Sequence, residues 1–73
     1  MSKYLTAFIQ REDDGFVATC PELDVVSQGD TIESARDNLR EAVELFLECA
    51  PKDEIQDRLG NDVFVTHFEV AIG

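Results

Sequence analysis

A chain of 73 residues holds one domain, and a domain of that size buries only about 60 % of its unfolded surface, so its core is marginal. Six Lys and Arg against sixteen Asp and Glu give a formal net charge of −10, which excludes nucleic-acid binding by phosphate neutralisation and favours a basic protein as partner. Two distant cysteines, Cys20 and Cys49, exclude a disulfide framework and a Cys-x-x-Cys zinc site, and no apolar run nears the roughly 18 residues that span a membrane.

The start, Met1 to Gln10, lacks a basic stretch leading into an apolar segment, so it does not read as a signal peptide. A cytoplasmic location is expected. Self-association is the expected source of additional burial for so small a core.

Lys3 to Arg11 reads as a strand, with Leu5, Ala7 and Ile9 on the face turned to the core and Tyr4, Thr6, Phe8 and Gln10 on the other. Arg11 to Gly15 forms a hairpin loop with Asp14-Gly15 as its turn signal. Phe16 to Cys20 is the second strand, ended by Pro21, which offers no donor to a ladder. Asp24 to Ser27 makes a short third strand. Gly29, able to take a positive φ, then opens a helix capped by Asp30 or Thr31. Asp30 places Glu33 at the capping-box position; Thr31 places Ser34 there, the weaker combination.

That helix is expected from about Ile32 to Cys49. Ile32, Ala35, Leu39, Ala42, Val43 and Phe46 repeat at helical spacing and form its apolar stripe, and Pro51 lies just past its end. Cys49 is expected to act there as a small hydrophobe. Lys52 to Asp62 is polar, with room for one further helical turn before the Gly60-Asn61-Asp62 break. Val63 to Ile72 reads as a last, rather apolar strand. Phe64, Thr66, Phe68, Val70 and Ile72 share one face; Val63, Val65, His67, Glu69 and Ala71 share the other. The fold class is therefore α+β in the order β-β-β-α-β: a three-stranded antiparallel sheet, a fourth C-terminal strand, and one main amphipathic helix on one face.

Residues that could carry chemistry are sparse. The four glycines are isolated, so no phosphate loop exists. Glu12, Asp13 and Asp14 lack the ligand spacing of a calcium loop, and His67, the single histidine, sits among apolar strand residues. A nucleophilic Cys20 would need that histidine as its base, and nothing local joins them. No enzyme activity, metal or cofactor is expected.

The outer face of the helix says more. Glu33, Asp37, Glu41, Glu44 and Glu48 fall within about a quarter-turn of one another. Neighbours along this stripe carry like charges, and each pair costs up to about 0.5 kcal/mol of helix stability. Arg36 and Arg40 at its edge offset part of that. Such a stripe fits a cationic partner, with Asp13 and Asp14 of the hairpin added to the contact surface. The last strand points to a second surface. A sheet covered by one helix buries one face, and an apolar strand left unpaired is a hazard. A homodimer, or a larger oligomer built of dimers, is expected through Val63, Phe64, Val65 and Phe68.

Taken together, Asp13 to Leu23 (DDGFVATCPEL) and Ser27 to Glu48 (SQGDTIESARDNLREAVELFLE), preceded by a strand starting near Tyr4, resemble the HicB family of antitoxins. The similarity spans Tyr4 to Glu48, about three-fifths of the chain. It implies a partial RNase H-like fold without nuclease activity, because the acidic metal-binding set is lacking. It also implies that the protein binds and masks a small basic toxin of the HicA type, which cleaves messenger RNA. Gly15, Pro21, Gly29 and Thr31 match as fold markers. Many members add a C-terminal DNA-binding segment. Here the last strand is followed at once by Gly73, so no direct DNA binding is expected. The alternative is a stand-alone oligomeric module, structural or ligand-binding, with no toxin.

Overall fold

The computed structural model describes residues 2–73. The elements are β1 (Phe8–Glu12), β2 (Gly15–Cys20), β3 (Val25–Gly29), α1 (Ile32–Cys49) and α2 (Lys52–Leu59). The strands form one antiparallel sheet in the order β1-β2-β3. Phe8 pairs with Thr19 and Glu12 with Gly15; Phe16 pairs with Gly29 and Cys20 with Val25. Alternation then sends Ile9, Phe16, Ala18, Cys20 and Val25 to the face under α1.

The core is small. Ala18, Cys20, Leu23, Ala35, Leu39 and Val43 are buried, with Leu5, Ile9, Phe16, Val25, Phe46 and Leu59 packed around them. Helical periodicity finds Ala35, Leu39 and Val43 correctly, but Ile32, at the first position of the helix, stays 50 % exposed. Leu23, in the turn after β2, is fully buried and belongs to no periodic pattern.

Several boundaries differ from expectation, each for a local reason. β1 begins at Phe8 and not at Lys3. The amide of Thr6 is instead held by the Glu22 carboxylate at 3.0 and 3.1 Å, and Pro21, on the strand it would pair with, has no N–H to give. The hairpin turn centres on Asp13-Asp14, with Gly15 already in β2; Asp13 takes φ 52°, in the left-handed region that Asp tolerates better than most residues. β3 is displaced to Val25–Gly29 because Asp24, at φ 56°, completes the preceding turn.

Gly29 does not have a positive φ. Its value lies in proximity: a Cβ there would stand 2.5 Å from the Ala35 backbone nitrogen and 2.8 Å from the Ser34 carbonyl carbon. Gly29→Ala must therefore push α1 off β3. A loss of about 1–3 kcal/mol is expected, read as a lower denaturant midpoint with an unchanged slope.

Thr31 is the cap of α1. Its hydroxyl accepts from the Ser34 amide at 3.0 Å, and its own amide donates to Ser34 Oγ at 2.9 Å. At the other end Ala50 is extended, at ψ 149°, as a residue before proline prefers. Cys49 is exposed and fills no core position. α2 is a full helix of two turns, more than the single turn expected, because Arg58 anchors it. That guanidinium donates to the Leu23 carbonyl oxygen, pairs with Glu54 at 2.9 Å and lies 4.8 Å from the centre of the Phe46 ring.

The expected fourth strand is not formed. Residues 62–73 follow α2 with no ladder partner among the described residues. Phe64, Phe68 and Ile72 are 86, 84 and 97 % exposed. The alternation that predicted a strand is present; the sheet edge it needs is not supplied by this path of the chain.

Candidate acidic interaction surface

α1 turns Ala35, Leu39 and Val43 to the sheet and carries its charges on the opposite side. Glu33, Asp37, Glu41, Glu44 and Glu48 are all exposed. At 1.5 Å rise per residue the stripe runs about 22 Å from Glu33 to Glu48. Among the described residues its one ion pair is Arg36 with Asp37 at 3.6 Å, between two side chains more than 60 % exposed, an arrangement that neutralises little. Most of the stripe is therefore an uncompensated anionic ridge.

The hairpin acids gather at one end of this ridge. Asp13 and Asp14 are exposed at the β1–β2 turn. With Glu12, Asp30, Ser34 and Asn38 they line an open hollow of about 610 Å³ beside the first turn of α1. Asn38, on its lining, donates to the Gln28 carbonyl at 2.8 Å. Asp30 and Glu33 sit where the helix N-terminus favours negative charge. The residues expected at a self-association surface lie elsewhere: Phe64, Val65 and Phe68 are exposed on the C-terminal segment, with Val63 half-buried at its start.

Two structural anchors beside the site escaped the sequence reading. One is Arg58, described above. The other is Glu22, whose carboxylate accepts from Thr6 Oγ1 at 2.7 Å as well as from the Thr6 amide, and from Cys20 Sγ at 3.6 Å. It fastens the chain entering β1 to the turn leaving β2. A carboxylate right after Cys-Pro at a strand end, with a hydroxyl residue near the start of the chain, is the signal that could have found it.

The pin also sets two ionisations. Burial pushes the Cys20 thiol above its ordinary value, against a backbone hydrogen bond from Leu23, and the Glu22 charge adds to the rise. For Glu22, partial burial pushes up, but the Thr6 hydroxyl and backbone hydrogen bonds outweigh it and the carboxyl ends below its usual range. A depressed carboxyl contributes stability above its unfolded pKa of about 4.3, and loses it as pH falls through the folded value. Wild-type protein should therefore lose stability relative to Glu22→Gln as pH drops below that point, measured by urea midpoints across pH 3 to 6, roughly the window in which carboxylates titrate. Parallel profiles for the two proteins would disprove the role.

Cys20 is buried, with its thiol on the Glu22 carboxylate, and His67 is exposed on the C-terminal segment. Among the described residues no group of His, Cys, Asp and Glu side chains is arranged to hold a metal ion, and no helix is long and apolar enough to cross a membrane.

These features define a small acidic α+β module with one helix over a three-stranded sheet and an anionic helical ridge. Comparison with known proteins gives two informative relatives. A UPF0150 protein of Synechocystis sp. is 41 % identical over 59 residues, 78 % of this chain and 76 % of its own length. A UPF0150 protein of Helicobacter pylori is 32 % identical over 68 residues, 92 % of this chain and 94 % of its own. The chain belongs to the UPF0150 family. No protein-family model matches it, and no solved structure matches it significantly.

Proposed function

We propose that this chain is a HicB-like antitoxin, a cytoplasmic binding protein and not an enzyme, that occludes a small basic HicA-type toxin cleaving messenger RNA. The observation that carries the reading is the uncompensated ridge Glu33, Asp37, Glu41, Glu44 and Glu48, continued by Asp13 and Asp14. A protein that grips RNA must present Lys and Arg to phosphate. An anionic ridge on a rigid helix competes for that same surface and speeds encounter with it. The resemblance of Tyr4 to Glu48 to HicB proteins supports the reading independently of charge. In it the antitoxin is a homodimer, or built of dimers, through Val63, Phe64, Val65 and Phe68, and binds no DNA by itself.

The test is retention from a native lysate at two salt concentrations, because screening shortens from about 10 Å at 0.1 M to about 3 Å at 1 M. Support requires a small, strongly basic protein held at low salt and released at high salt, with RNA-cleaving activity that the chain suppresses. Recovery of the chain alone would leave the stand-alone oligomeric module in its place.

A further inference from the structure

Two surfaces of this molecule are incomplete, and they fit each other. The first is a groove. α1 lies over β3 and β2 and scarcely reaches β1, so the β1 half of the helix-facing sheet is open. A cleft of about 430 Å³ is left there, with Leu5 and Ala7 on the β1 side and Leu39, Val43 and Leu47 on the helix side. The outer edge of β1 is unpaired, leaving its N–H and C=O groups as a template for another strand.

The second surface is the C-terminal segment. Among the described residues, no hydrogen bond joins residues 62–73 to the rest of the chain. It holds a period of two, with Phe64, Phe68, Val70 and Ile72 on one side, all exposed. The segment points away from its own sheet: the molecule is 49 Å long and 19 Å thin, with a radius of gyration of 14.2 Å, whereas a compact chain of this length has about 11 Å.

We propose that the two surfaces meet between copies: the C-terminal segment of each protomer adds as a strand to the β1 edge of a second, and its apolar side chains fill the partner's β1–α1 groove. Length is sufficient, since Val63–Ile72 covers ten residues and the β1 edge, Phe8–Glu12, offers five. Charge agrees as well. Lys3, Arg36 and Arg40, half of the six cationic residues, line the groove against one carboxylate, Glu44, and the arriving segment carries Asp62 and Glu69. Each phenylalanine that is buried removes roughly 150–250 Å² from water. With two segments exchanged and their grooves covered, the interface passes the roughly 1,000 Å² that separates specific contacts from chance ones. Reciprocal exchange closes the assembly at two copies. This deepens the self-association part of the proposed function and stands whether or not a basic partner exists.

The test begins with the mass of the full chain in solution, by light scattering after gel filtration. The expected result is about 16 kDa, twice the 8.2 kDa of one chain. Phe64→Asp/Phe68→Asp, and separately deletion of residues 62–73, should each yield a monomer with the helical circular-dichroism signal kept. Mixed labelled and unlabelled protein, read by isotope-filtered nuclear Overhauser spectroscopy, should then show contacts between Val70 or Ile72 methyls and those of Leu39, Val43 or Leu47. Those filtered contacts support the exchange even if the variants fail to fold. A monomeric full chain, open polymers in place of a dimer, or contacts visible only without the filter would overturn it. A dimer that survives loss of the segment would also overturn it, while leaving self-association intact.

Discussion

Leu23→Ala is expected to cost more stability than any other single truncation in this protein. Leu23 is fully exposure-free and, with Cys20, the largest side chain buried to that degree. It sits in the turn between β2 and β3, beneath α1, and its carbonyl receives the Arg58 guanidinium that holds α2. Leu-to-Ala truncation at sites unable to collapse costs about 2–5 kcal/mol, the transfer cost plus the cavity. The site has little means to collapse, because Asp24 beside it is held at φ 56° and Pro21 constrains the chain just before it. A chain of this length has about 4–11 kcal/mol in total, and each kcal/mol is worth about 4–8 °C of melting temperature. A fall of about 3 kcal/mol, or roughly 12–24 °C, should appear in thermal melts at fixed protein concentration. Leu45→Ala is the matched control: Leu45 is 60 % exposed, and its truncation should change the midpoint by less than about 0.5 kcal/mol. Equal losses in the two variants would remove Leu23 from the centre of the core.

The contrast between those leucines shows which parts of the fold were legible in the sequence. Helical period identified Ala35, Leu39 and Val43, because α1 is long enough for its pattern to repeat. The same period enrolled Ile32, which stays 50 % exposed. Leu23 was invisible to any period, being a single inward residue in a turn. Gly29 was noticed for the wrong property: its spacing from Ala35, and not its φ, demands the missing side chain, and that distance exists only after folding. The C-terminal segment was read as a strand from correct alternation. A strand is a relation to a neighbour, however, and the sequence carries the alternation without the neighbour. The acidic ridge was the most readable feature of all, since five carboxylates at helical spacing stay exposed wherever the opposite face is buried.

That ridge supports the second large effect. Asp37→Lys/Glu41→Lys changes the formal charge from −10 by two units per substitution, to −6, and places both new cations at the middle of the ridge. Glu44 is left alone because it also borders the β1–α1 groove, and a change there would mix partner binding with self-association. The expected result, with the toxin recovered as described above, is a loss of affinity of about 100-fold, or about 2.8 kcal/mol, because like charges are brought together across a contact. Much of the loss should fall on the association rate, whose dependence on ionic strength should flatten. Stability should move the other way. Glu33 with a lysine at 37, and a lysine at 41 with Glu44, turn two repulsive helical pairs into attractive ones of about 0.2–0.5 kcal/mol each, while the 37/41 pair stays like-charged and the exposed, weak Arg36–Asp37 pair is lost. The double variant is therefore expected to melt no lower than wild type while it fails to bind. That pairing separates an interaction surface from a merely solvated helix face: unchanged affinity and unchanged salt dependence would leave the ridge with no work beyond keeping the protein dispersed.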